Sequence, residues 1–148
     1  MSSPDFQAPP SACTSARLFT VADADRSLVL VRRIVEDIVV RYRGVLDYQE
    51  ILEASLVQGS TEQADQARRD LERCMDKLQA CAEELLGVGV ELKDWSAGVV
   101  DYPATFEGRP ICLCWQHGEP VVGHWHEVGA ACGTRQEIET LLAQPQAN

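Results

Sequence analysis

Apolar side chains at Leu28, Val31, Val35, Ile38, Tyr42, Val45, Leu52 and Leu56 advance in alternating steps of three and four, with Gln49 the one polar member of the series. That spacing returns each side chain to the same face of an α-helix, as a heptad seam does. It predicts a helix running to Val57, opened by Thr20 as N-cap with the Asp23 carboxylate in the first turn, where the helix dipole favours it. Gly44 is the one weak residue inside, at about 1 kcal/mol relative to Ala. After Gln58-Gly59-Ser60 the pattern resumes at Ala64, Ala67, Leu71, Cys74, Leu78, Cys81 and Leu85. Ser60 is expected to cap this second helix with Gln63 at the capping-box position, and Gly87 to end it. Two long helices on so short a link lie side by side and antiparallel. The longer one reaches about 55 Å.

Beyond Val88 the hydrophobic period falls toward two, and Gly and Pro become frequent. Val88 to Leu92 reads as a short strand and Gly98 to Phe106 as a longer one. Glu107-Gly108 then makes a turn, Pro110 to Trp115 a strand, Gln116-His117-Gly118 a turn and Glu119 to Glu127 a last strand. Arg135 to Ala143 reads as a final helical turn or two. The expected fold class is α+β, a long antiparallel helical hairpin packed with a small three- to four-stranded antiparallel sheet. Residues 1–18, rich in Ser, Pro and Ala, read as a mobile tail. A single domain is expected over 19–143, with the hairpin over 19–87, the meander over 88–136 and a polar tail over 144–148.

Strand parity sorts the chemistry. Ile111, Leu113 and Trp115, and then Val121, Gly123 and Trp125, are all odd-numbered, and side chains alternate faces along a strand. If the two tryptophans are structural anchors turned into one core, the three-residue loop must keep cross-strand partners at equal parity. Cys112, Cys114, His124 and His126 then share the opposite face. Thiol and imidazole together are first-row metal ligands. In that register, however, the histidines sit diagonally past the cysteines, about 7 Å away or more, which disfavours a complete Cys2His2 set. Glu119 and His126 would lie near opposite ends of one strand, and Asp101 is the better partner for His126.

Thirteen basic against twenty-three acidic residues give a net charge of −10. Nucleic-acid affinity is built from Lys and Arg, so a nucleic-acid partner is not expected, nor is an anionic membrane surface. Between residues 20 and 94 there are 16 acids and 10 bases, a solvated face or a dock for a basic partner. No apolar run is long enough to span a bilayer, and Met1 to Ser15 lacks the form of a secretory signal. A cytoplasmic location follows as the expectation. Free thiols then follow for Cys13, Cys74, Cys81, Cys112, Cys114 and Cys132, which form no Cys-x-x-Cys pair. Cys74 and Cys81 fall on the helical seam and read as small apolar fillers.

The strings Gly89-Val90-Glu91-Leu92-Lys93-Asp94, Gly98-Val99-Val100-Asp101-Tyr102-Pro103, Leu113-Cys114-Trp115, Gly118-Glu119-Pro120 and Trp125-His126-Glu127 follow in order. Together with Phe19-Thr20 before a long amphipathic helix, they make the chain resemble the prokaryotic DUF2203 family over roughly residues 18 to 136. Its members are small bacterial proteins without an established function, so the resemblance implies a fold and a motif, not an activity. The polar motif residues it implies are Lys93, Asp94, Asp101, Glu119, His126, Glu127 and Arg135, completed by Cys114, Trp115 and Trp125. Tyr102 replaces the more usual Phe, and Cys112 and His124 lie outside the pattern.

Three functions fit these residues. The first is a non-enzymatic interaction or scaffold module, self-associating or taking a protein partner along an exposed hairpin stripe of Val29, Leu30, Ile34 and Val39. The second is a protein holding a divalent metal such as zinc or iron with His126, Asp101, Glu127 or Asp94, and Cys114. The third is a thiol enzyme with Cys114 as nucleophile, His126 as base and Asp101 orienting the imidazole. Set against the last two, His126 reads simply as a structural histidine bonded to Asp101 or to a backbone carbonyl.

Overall fold

A computed structural model describes residues 18–130 and 134–142. The expectations for residues 1–17 and 144–148, and for Cys13 and Cys132, lie outside the described residues. The two helices form as the seams require: α1 spans Val21–Gln58 and α2 spans Thr61–Val88. Thr20 opens α1 with a reciprocal capping box. Its hydroxyl accepts from the Asp23 amide, and the Asp23 carboxylate accepts from the Thr20 amide, so the shorter Asp does the work usually given to Glu. Two capping expectations are corrected. Ser60 makes no side-chain cap bond, and α2 runs through Gly87 to end at Gly89, whose φ of 95° supplies the left-handed turn.

Among the described residues the sheet has five strands, more than the three or four expected, in the order of the chain: β1 (Glu91–Asp94), β2 (Val99–Phe106), β3 (Arg109–Gln116), β4 (His124–Glu127) and β5 (Gln136–Glu137). All neighbours are antiparallel. The extra strand is two residues long and carries no periodicity of its own. A short helix, α3 (Ile138–Leu142), follows, with Ile138 N–H bonded to the Gly123 carbonyl at 2.9 Å. The β2–β3 hairpin turns on Glu107 and Gly108, both at positive φ, as a two-residue hairpin demands.

The largest correction concerns the segment after β3. The strand expected over Glu119 to Glu127 is only His124–Glu127, and residues 117–123 form a loop in place of the three-residue turn. The loop is held from several sides. The Glu119 carboxylate accepts from the Gln116 amide at 2.7 Å, and the Glu119 carbonyl accepts from the Trp115 indole at 3.0 Å. Arg32 donates to the Pro120 carbonyl, and the Val122 amide donates to Asp25 on α1 at 2.8 Å. Pro120 has no N–H to give a ladder.

Parity nevertheless comes out as the burial pattern requires within β3 and β4, whereas Val121, expected on the same buried face, lies in the loop and is exposed while Val122 is buried. Leu113 pairs with Trp125, and Tyr102 with Leu113, so Val100, Tyr102, Ile111, Leu113, Trp115 and Trp125 share one face. All are buried, and with Leu28, Val31, Val35 and Ile38 of α1 and Leu78 and Leu85 of α2 they form a single core. The molecule is thus a helical hairpin laid on one side of a sheet. The apolar stripe expected to be exposed is corrected in part. Ile34 is in the core, and Val39 packs where Gly98 lets the chain approach α1, whereas Val29 and Leu30 stay exposed. Among the described residues no helix is long and apolar enough to cross a membrane.

Candidate metal centre

The face turned away from the helices carries the polar groups. In the register, Asp101, Cys114 and His124 lie in one cross-strand row, and Pro103, Cys112 and His126 in the next. The histidines therefore stand directly opposite the cysteines, not diagonally past them, because β4 pairs further along β3 than a three-residue turn would allow. Diagonal neighbours across a sheet are within reach of a long side chain, and His126 uses that reach. Its Nε2 lies 3.0 Å from both oxygens of Asp101, one strand further over. Pro103, in its own row, offers no competing polar group.

Asp101, Cys114 and His126 converge, with one potential ligand atom from each lying within 4.8 Å of the others. All three are buried, at 1%, 0% and 2% exposure. The other ring nitrogen of His126, Nδ1, is 2.8 Å from the Glu127 carbonyl oxygen. A carbonyl only accepts, so Nδ1 carries a proton and donates it. That bond fixes the ring and turns Nε2 toward Asp101. The hydrogen bond to Asp101, ahead of the opposing effect of burial, raises the imidazole pKa. With both ring nitrogens facing acceptors, the metal-free site favours the protonated imidazole.

Around this cluster the sequence-derived residues divide. Glu127 contributes its backbone; its carboxylate is on the opposite face, 3.3 Å from Arg109. Asp94 is spent on its own turn, accepting from the Ser96 amide, the Ser96 hydroxyl and the Ala97 amide, which hold its pKa down. Glu119 is in the loop, gripped by both Arg135 guanidinium nitrogens at 2.9 and 3.0 Å, a pairing that raises the Arg135 pKa. The same guanidinium reaches to 4.0 Å from Cys114 Sγ. His124 Nδ1 is 3.4 Å from Glu119 without hydrogen-bond geometry. Lys93 lies 3.1 Å from Glu91. Glu91 itself is a buried acid directly beside Asp101 in the register, and sequence reasoning passed over it. The signal was available only through that pairing, since β1 is short and bulged between Leu92 and Asp94.

A family model described as "Uncharacterized conserved protein (DUF2203)" matches residues 17–138, most of the chain. The chain belongs to the DUF2203 family. No curated protein and no solved structure is matched. Within this DUF2203 chain, the motif strings fall on β1, the first half of β2, the end of β3, the loop after it and β4. They are far apart in sequence, and the antiparallel pairing brings Asp101, Cys114 and His126 from three of them to one spot.

Chemically, the three atoms are one hard oxygen, one soft sulfur and one imidazole nitrogen. Such a mixed set suits zinc, whose tetrahedral ligands sit about 3.4 to 3.6 Å apart given bonds of about 2.0 to 2.3 Å. A donor hydrogen bond from the non-ligating imidazole nitrogen to a carbonyl is the usual support of a metal-bound histidine. Cys114 does not fit the nucleophile role equally well, because reactive thiolates sit partly exposed and it is sealed.

Proposed function

We propose that this protein binds a divalent metal ion, zinc being the best match, through Asp101 Oδ, Cys114 Sγ and His126 Nε2. The observation that carries the reading is the convergence of these three buried ligand atoms on one side of the sheet. It is supported by the Nδ1–H bond to the Glu127 carbonyl, which leaves Nε2 as the metal-facing nitrogen. Binding replaces the Nε2 proton and the thiol proton by the cation. The anionic carboxylate and thiolate then neutralise its charge in a site that excludes solvent. Three protein ligands leave one tetrahedral position for water or a small ligand. The scaffold reading draws less support, since Ile34 is buried in the core and Val39 is half-buried against it.

The test is elemental analysis of protein purified without chelator, followed by zinc titration. One metal per chain, lost in His126→Ala and Cys114→Ser but retained in Cys112→Ser, supports the reading. A metal content near zero that added zinc does not raise refutes it.

A further inference from the structure

Gly44 weakens α1 relative to an alanine, and its surroundings show what the missing side chain accommodates. A Cβ built there would meet Cys74 Sγ of α2 at 3.0 Å. Cys74 is drawn in against α1 and its thiol donates to the Arg41 carbonyl at 3.1 Å. Beside this close approach is a cavity of about 160 Å³ lined by Arg41, Tyr48, Asp70, Arg73, Cys74 and Lys77. The α1 residues Arg41 and Tyr48 are two helical turns apart, as are Asp70 and Lys77 on α2, so the two helices face one another with matched stripes.

The charge of this lining opposes that of the molecule. Three cations and one acid meet here in a chain whose net charge is −10. The acid is already engaged, with Arg73 at 3.5 Å and Gln66 at 3.1 Å. Among the described residues, neither the Arg41 guanidinium nor the Lys77 ammonium makes an ion pair or hydrogen bond, and the Tyr48 hydroxyl has no hydrogen-bond partner. Both free cations are close enough to Cys74 to oppose the rise that burial causes in its thiol pKa.

We infer that the α1–α2 cavity is a binding site for a phosphate-class oxyanion, held by Arg41 and Lys77 with Arg73 beside them and Tyr48 donating a hydrogen bond. An arginine presents a fork of donors to phosphate oxygens, and a lysine adds a mobile point charge. The volume suits a free phosphate or the terminal phosphate of a small ester, not a drug-sized ligand. The inference does not depend on the metal reading, because the site is built from the hairpin alone.

Calorimetric titration of the full chain with inorganic phosphate, and separately with glycerol phosphate, tests it. One oxyanion per chain is expected, with affinity about tenfold lower or worse in Arg41→Gln and in Lys77→Gln. Arg68→Gln, an equal loss of charge at an exposed residue of α2 outside the cavity lining, should leave it unchanged. Tighter binding of the ester identifies a phosphorylated metabolite as the occupant, and equal binding identifies the free ion. Absence of binding to either probe, or equal weakening in all three variants, overturns the site. Lys77 is exposed, so Lys77→Gln keeps the test decisive even where Arg41→Gln disturbs folding.

Discussion

Nε2 of His126 lies 3.0 Å from each carboxylate oxygen of Asp101, and the two side chains are almost wholly sealed from solvent. They come from strands that are not neighbours in the sheet, with β3 and Cys114 between them. Burial of a charged pair is tolerated only while both partners remain, because either one alone is an uncompensated charge out of water. Asp101→Ala is therefore expected to cost about 3 to 5 kcal/mol in the metal-free protein. Urea unfolding in the presence of a chelator measures this. A loss below about 1 kcal/mol would mean that the pair is solvated and worth no more than an exposed one.

The proton on His126 and the metal compete for one lone pair. The imidazole pKa is raised, so at mildly acidic pH Nε2 is occupied by a proton. Zinc affinity is expected to climb as pH rises through that region, by up to about tenfold per pH unit for each proton displaced. Titration at two pH values, in buffers of different ionisation enthalpy, counts the protons released. An affinity independent of pH would show that neither imidazole nor thiol is a ligand.

Asp94 gives a separate acid dependence. The Ala97 amide, followed by Ser96, holds its folded-state pKa below the unfolded value. For a depressed carboxylate, the stabilisation is complete above the unfolded pKa of about 3.9 and disappears as pH falls through the folded one. Asp94→Ala should thus be less stable than the parent by about 1 kcal/mol at neutral pH, the modest size reflecting an exposed turn. The gap should close below about pH 4. Thermal unfolding of both proteins across that range checks it; a gap that widens on acidification contradicts the sign.

Two glycines separate backbone strain from crowding. Gly98 has φ 70°, and a Cβ there would lie 2.8 Å from both His117 Cβ and Val35 Cγ1. Gly108 has φ 80° with open space around it. Gly98→Ala should cost about 3 kcal/mol or more, combining strain with overpacking, and Gly108→Ala about 1 kcal/mol from strain alone. Chemical denaturation compares them, and equal costs would argue against the tight seating of β2 on α1.

The helical hairpin was legible because its signal is long. Leu28 to Val45 and Ala64 to Leu85 each hold one period over several turns, and the structure buries most of those positions. The strands were legible in parity and not in extent. Glu119 and Pro120 look like the start of a strand, yet the Gln116 amide donates to the Glu119 carboxylate, and this bond and the missing proline N–H turn the chain into a loop. That loop is longer than expected by an even number of residues, so Trp115 and Trp125 keep a common face while their cross-strand partners change. The candidate centre depended on both facts. Parity placed Cys114 and His126 together, whereas the lateral reach of His126 to Asp101, and the burial of Glu91, follow from a register set by tertiary packing.

Cobalt substitution probes the proposed centre most directly, because a thiolate bound to Co(II) produces a charge-transfer band that neither water nor carboxylate gives. The account predicts this band on adding Co(II) to the wild-type chain, its persistence in Cys112→Ser, and its loss in Cys114→Ser with both variants folded by circular dichroism. A wild-type spectrum equal to that of Co(II) in buffer, or a band that survives in Cys114→Ser, would contradict it.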